Sequence, residues 1–186
     1  MLLSTIYRKS IFAEELLIGR TKGFLAVSYI FELIAYEKDR SKGSAQARAF
    51  FNNRAHYEIL PDQYYFEKKG SSEGFLVEMY DKFAPTDEDY DAAKEAYGRG
   101  FDVRIVSSLM AGIEINFFRS AEHYSDVANE MQALLQTKQF FLADPQSGDE
   151  IHGQFPSRAF VIGMMEWTRK DMDRFLRQHP NLLVQP

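Results

Sequence analysis

Hydrophobic and polar residues alternate along several short stretches of this chain. In "GIEINFF", Ile113, Ile115 and Phe117 are interleaved with Glu114 and Asn116. In "FDVRIV", Phe101, Val103 and Ile105 are interleaved with Asp102 and Arg104. A period of two sets one row of side chains on a core and the other outward, so both stretches predict strands. "QYYFEKKGSSEGFLVEMY" reads as a hairpin turning at Gly70-Ser71-Ser72, with one strand at Gln63 to Glu67. "KQFFLAD" and "AFVIGMM" lack polar alternation, which predicts central strands buried on both faces.

A period of 3.6 marks the helices. In "SAEHYSDVANEMQALLQT" the residues Tyr124, Val127, Ala128, Met131, Leu134 and Leu135 form one apolar stripe, with Ser120 as the N-cap. "TDEDYDAAKEAYG" starts at Thr86 after Pro85. Acidic residues fill its first turn, where the helix dipole favours them, and Gly98 stands at the C-terminal end. "TRKDMDRFLRQHP" has Thr168 and Asp171 in capping-box spacing and Pro180 as a stop. The most apolar run, Phe24 to Tyr36, is thirteen residues long and contains Glu32. A bilayer span needs about 20 residues, so it predicts a buried helix and no membrane association.

From Gly74 the predicted order is strand, helix, strand, strand, helix, strand. This is the βαββαβ pattern of a ferredoxin-like core, with strands near 74–80, 101–106, 112–118 and 138–143. Right-handed crossovers place the helices near 87–97 and 121–136 on one face of the sheet. The expectation is a single α+β domain over 1–186. Residues 1–56 form an N-terminal helical layer and 57–186 the sheet-containing core, with extra strands and the polar stretch Glu37 to Gln46 near the join. The length and the sixteen Phe and ten Tyr residues suffice for a core of this kind.

Composition narrows the chemistry. Without cysteine there is no disulfide, thiolate nucleophile or cysteine–metal site, and the first residues have no basic leader before an apolar segment. The expected location is the cytoplasm. The net charge of −5 argues against direct nucleic-acid binding. No phosphate loop, G-x-G-x-x-G, H-E-x-x-H or G-x-S-x-G is present, so no catalytic residue, metal or cofactor is assigned.

Five features are weighed as candidate sites. "QFFLADPQSGDEIHGQF" brings Asp144, Asp149, Glu150 and His152 close in sequence, the donor types of a divalent-metal site or a metal-dependent enzyme. Its simpler reading is a strand ended by Asp144 and a turn at Pro145 relaxed by Ser147-Gly148. Arg119 and His123 have the residue types of some helical RNases but too few residues between them, and His123 in a first turn is expected to face solvent. "TIYRKS" (Thr5 to Ser10), with Glu166 as a late carboxylate, resembles the first strand of ADP-ribosyltransferases; their Ser-Thr-Ser strand is missing. A basic stretch holds Lys38, Arg40, Lys42, Arg48 and Arg54, with Phe50, Phe51 and Tyr57 as stacking candidates. An acidic stretch from Glu73 to Glu95 carries eight carboxylates against Lys82 and Lys94.

The acidic, aromatic-rich, motif-free α+β profile and the "FFLADPQSGDE" strand-and-turn resemble the immunity proteins of bacterial polymorphic toxin systems. The resemblance covers about a dozen residues and carries over no functional residue. It implies binding rather than catalysis: occlusion of a toxin effector domain in the producing bacterium. A phage- or plasmid-encoded inhibitor of host defence is the alternative binder. The residues expected to contact a cognate basic protein are Glu78, Tyr80, Asp81, Phe83, Glu88 and Asp91, with charge steering the encounter and the aromatics supplying affinity.

Overall fold

The computed structural model describes residues 28–68, 71, 73–117 and 119–178. They form β1 (Ser28–Ala35), α1 (Arg40–Asn52), β2 (Tyr57–Leu60), β3 (Gln63–Glu67), β4 (Gly74–Met79), α2 (Asp87–Tyr97), a short α3 (Arg104–Ser107), β5 (Leu109–Asn116), α4 (Ala121–Gln136), β6 (Phe140–Asp144), β7 (Asp149–Ile151) and α5 (Ser157–Gln178). The seven strands make one sheet in the order β2-β3-β4-β5-β1-β6-β7. Every neighbouring pair is antiparallel. The chain is thus a single α+β domain. None of its described helices is long and apolar enough to cross a membrane.

Strand alternation sorts the core onto two faces. On the first face Phe31, Leu33, Val77, Ile113, Phe140 and Leu142 pack against Phe51 of α1, Val127, Met131 and Leu134 of α4, and Met164 of α5. On the second, Ile34, Phe141 and Ala143 pack against Ala93 and Tyr97 of α2 and Ile105 and Val106 of α3. Helices therefore cover both faces, and each fully buried Leu, Ile or Phe contributes about 1.5–3 kcal/mol.

Several expectations are met at the level of the element. β3, β4, β5 and β6 lie where alternation or an apolar run put strands. The Ser120 hydroxyl accepts from the His123 N–H at 3.1 Å and opens α4. The Asp89 carboxylate accepts from the Thr86 backbone N–H and hydroxyl, both at 2.8 Å, and fixes the start of α2.

The ferredoxin-like arrangement is not what these elements build. β1 lies between β5 and β6, and α2 and α4 sit on opposite faces. Residues 101–106 are not a strand. Asp102 accepts from the Arg104 N–H at 2.8 Å and turns the chain into α3, where the consecutive Ile105 and Val106 are both buried, as in a helix turn and not a strand. "AFVIGMM" is helical as well. Phe160, Val161 and Met164 face the core at helix spacing, while Ile162 and Met165 remain about half exposed. α5 starts at Ser157, so Thr168 and Asp171 begin no helix.

The expected N-terminal helical layer is corrected too. From Ser28 onward the apolar run is β1, paired on both sides, and only α1 in the 28–56 range is helical. A strand buried on two faces needs apolar residues at every position, which periodicity cannot separate from a buried helix. Glu32 fits there because the Tyr97 hydroxyl donates to its carboxylate at 3.2 Å. Phe24 to Val27 and the "TIYRKS" stretch lie outside the described residues.

Candidate functional site

The basic and acidic stretches of the sequence meet in the fold. Arg48 of α1 donates from Nε to Asp81 Oδ2 at 2.9 Å and closes a second contact to the same carboxylate through Nη2, while the Ser44 hydroxyl donates to Asp81 Oδ1. Burial pushes the Asp81 carboxyl up, but the bonds from Ser44 and Arg48 outweigh it and hold the group below the usual carboxylate range. Arg40 donates to the Tyr80 carbonyl at 2.5 Å and lies over the Phe83 ring, 5.4 Å from its centroid. Arg54 forks onto Glu130 of α4 at 2.5 and 2.6 Å. The arginines considered for nucleic-acid contact are thus engaged inside the molecule, and Phe51 and Tyr57 are core residues.

The six residues expected at a partner interface divide accordingly. Asp81 and Phe83 hold α1 against the β4–α2 connection. Glu88 and Asp91 stand exposed on α2, Asp91 with Lys94 at 3.0 Å. Glu78 and Tyr80 belong to the second face of the sheet. Tyr80 folds back over β5: a Cβ built on Gly112 would fall inside the contact shell of the Tyr80 hydroxyl and only 3.0 Å from Cζ. Burial, then Glu78, Glu32 and Glu114, push this phenol well above its ordinary range. Glu78 is itself raised, by burial and then by Glu114.

Register extends this acidic face across the sheet. Glu58 opposes Tyr65, Tyr65 opposes Leu76, Leu76 opposes Glu114, and Glu114 opposes Ile30. One row further, Gln63 opposes Glu78 and Glu78 opposes Gly112. At about 4.8 Å per strand the first row is about 19 Å long. α2 and α3 pack on the same face over β1 and β6. Sequence reasoning picked out Glu78 but missed Glu58, Glu67 and Glu114. Their alternation was visible, but only strand pairing brings them onto one surface.

The four groups of the metal candidate, Asp144, Asp149, Glu150 and His152, do not converge. Asp144 accepts from Gln146 N at 2.9 Å, Ser147 N at 3.2 Å and Ser147 Oγ at 2.9 Å, closing the turn as the sequence suggested. Gly148 follows with φ 77°, a conformation that suits glycine. The Tyr29 hydroxyl also donates to Asp144, which puts this carboxylate on the first face. Glu150 and His152 lie on the second. His152 stacks on Phe141 with ring centroids 4.6 Å apart, its Nε2 is 2.8 Å from Glu150 Oε2 and its Nδ1 is 2.6 Å from the Tyr36 hydroxyl. Among the described residues no group of three or more His, Asp or Glu side chains is placed to hold a metal ion.

The order hydroxyl, imidazole, carboxylate is that of a nucleophile relay. Burial, however, raises the Tyr36 hydroxyl above its ordinary value, which disfavours the phenolate, and Arg104 beside it is held by Asp102. The chain of contacts instead ties β7 to the end of β1. His123 is not at the surface as expected: it is buried, edge-on to Phe75 and Tyr124, and burial lowers its pKa.

The fold defines an antiparallel α+β domain with helices on both faces and an acidic sheet surface. Comparison with protein-family models, with curated proteins and with solved structures found no match to this chain.

Proposed function

We propose that this protein acts by binding another protein, a basic partner whose working surface it covers, in the manner of an immunity protein neutralising a toxin effector domain. The observation that carries this reading is where negative charge is left after internal pairing. Asp81, Asp102 and Glu130 are matched by Arg48, Arg104 and Arg54. Glu58, Glu67, Glu78 and Glu114 on the sheet, and Asp87, Glu88 and Glu95 on α2, have no ion-pair partner among the described residues. Charge of one sign gathered on one side of a molecule accelerates encounter with an oppositely charged protein and disfavours acidic ones.

The test is capture of the partner from the source cell followed by association kinetics. Replacing Glu78 and Glu88 together with Lys is expected to slow association about tenfold or more at low salt, the loss shrinking as ionic strength rises. The captured protein's own activity should be lost when the wild-type chain is added in equimolar amount. Unchanged kinetics with an unaffected partner activity would refute the reading. Asp81 is left intact in this experiment because it is committed to Arg48.

A further inference from the structure

We propose that the part of the second sheet face built by β2, β3, β4 and β5 is the docking surface itself, and that its occupant is an extended Lys- or Arg-bearing segment of a partner protein. This rests on the protein-binding reading and gives it a location.

Three features support it. The first is composition by side. The residues that strand alternation directs to this face are Glu58 and Leu60 of β2, Gln63, Tyr65 and Glu67 of β3, Leu76 and Glu78 of β4, and Gly112, Glu114 and Asn116 of β5. No lysine or arginine is among them, although the chain has 22. The opposite face of the same strands carries Tyr57, Tyr64, Phe66, Phe75, Val77 and Ile113, all buried, and only Ile59 of the edge strand β2 among its large apolar residues stands exposed. One side of these four strands is therefore core and the other is acidic.

The second is relief. Tyr80 lies over Gly112, and a Cβ on Gly74 would come within 2.5 Å of the Tyr65 ring, so Tyr65 likewise lies down over Gly74. Two tyrosines lie over two glycines, and the face is flattened between its carboxylates. A flat, acidic and partly aromatic platform suits a segment whose cationic side chains reach carboxylates while their stems lie on rings.

The third is mutual repulsion. Glu78 is half-buried and sits diagonally from Glu114, and burial, then the neighbouring Glu114 charge, raises the cost of ionising it. The Glu114 carboxylate accepts from the Ser28 hydroxyl at 2.5 Å, and the Glu78 carboxylate has no hydrogen bond among the described residues. A cation laid between them would relieve that repulsion.

The probe is octalysine, titrated at low salt into the full chain and followed by backbone amide shifts. The expected result is perturbation centred on Glu58, Tyr65, Leu76, Glu78 and Glu114. Glu78→Gln combined with Glu114→Gln should weaken the probe's binding about fivefold or more, and Glu78→Gln alone should leave Tm unchanged or higher. Perturbation confined to Glu88, Asp91 and Glu95 of α2 would overturn this surface while leaving a basic partner in place. Absence of any binding would overturn the surface and the charge-based reading together. Sedimentation showing a dimer that protects the same residues would assign the face to a second copy. Perturbation seen only after removal of residues 1–27 would assign it to the chain's own N-terminal segment. Either result would overturn the proposal.

Discussion

Removing the guanidinium of Arg54 tests how the β2 edge of the sheet is locked to α4. Glu130 is a carboxylate on α4 whose side chain is only 8% exposed, and Arg54, 34% exposed, is its one cationic partner among the described residues. The Arg54 Nε and Nη2 contacts are 2.6 and 2.5 Å, and the Tyr57 hydroxyl adds a longer bond at 3.3 Å. Breaking a fully buried ion pair from one side costs about 3–5 kcal/mol, because the remaining charge is stranded. Arg54 is one-third exposed, so water can enter behind it, and Tyr57 still donates. The expected cost of Arg54→Met is therefore about 2–3 kcal/mol, or roughly 4–12 °C in Tm for a domain of this size. Glu130→Gln should cost less, about 1 kcal/mol, since the freed guanidinium can turn to solvent. The combined Arg54→Met and Glu130→Met variant should recover most of the loss, because two apolar side chains strand no charge. Urea unfolding followed by far-UV circular dichroism measures all three. A loss below about 0.5 kcal/mol for Arg54→Met, the value of a surface pair, would refute the burial argument, and so would strictly additive single and double variants.

Three further outcomes follow from the same contacts. Gly112→Ala should destabilise by about 1–3 kcal/mol because the new methyl displaces the Tyr80 ring, and adding Tyr80→Leu should recover part of it; additive losses in chemical denaturation would count against the packing. His123 is depressed by burial, so its unfolded form takes up a proton that the folded form refuses: stability contributed at neutral pH is lost as pH falls through and below about 6.5, and His123→Phe should flatten that part of the pH–stability curve. Glu78 has the opposite sign. Its folded carboxyl is raised by burial and then by Glu114, so the folded state holds a proton the unfolded state releases, and the wild type should gain stability relative to Glu78→Gln as pH falls from neutrality towards the ordinary carboxylate value; parallel curves would show that the Glu78 carboxyl is not raised in the fold.

Much of the fold was legible locally. The alternation in "GIEINFF", the stripe from Tyr124 to Leu135, the caps at Thr86 and Ser120 and the Asp144 turn are short-range facts. Each rests on residues within about one helical turn or one hairpin of each other, and each reappears in the structure. The acidic nature of the protein and its lack of a linear catalytic motif were equally plain from composition.

Tertiary structure decided the rest, because the deciding contacts span long stretches of chain. The run from Ser28 to Ala35 is a strand since β5 and β6 offer it hydrogen bonds on both sides, and "AFVIGMM" is a helix since α4 offers one apolar stripe and no strand edge. A continuous apolar segment satisfies either environment, and only the neighbour chooses. The same holds for charge. Along the sequence Arg40, Arg48 and Arg54 read as a basic patch and Asp81 as part of an acidic one. In the fold Arg48 and Asp81 neutralise each other, Arg54 turns inward to Glu130, and the acidity that remains is gathered on the sheet by Glu58, Glu67, Glu78 and Glu114. Local sequence sets the period and the sign of each side chain. Strand pairing sets which of them share a surface, since the residues it brings face to face lie tens of positions apart.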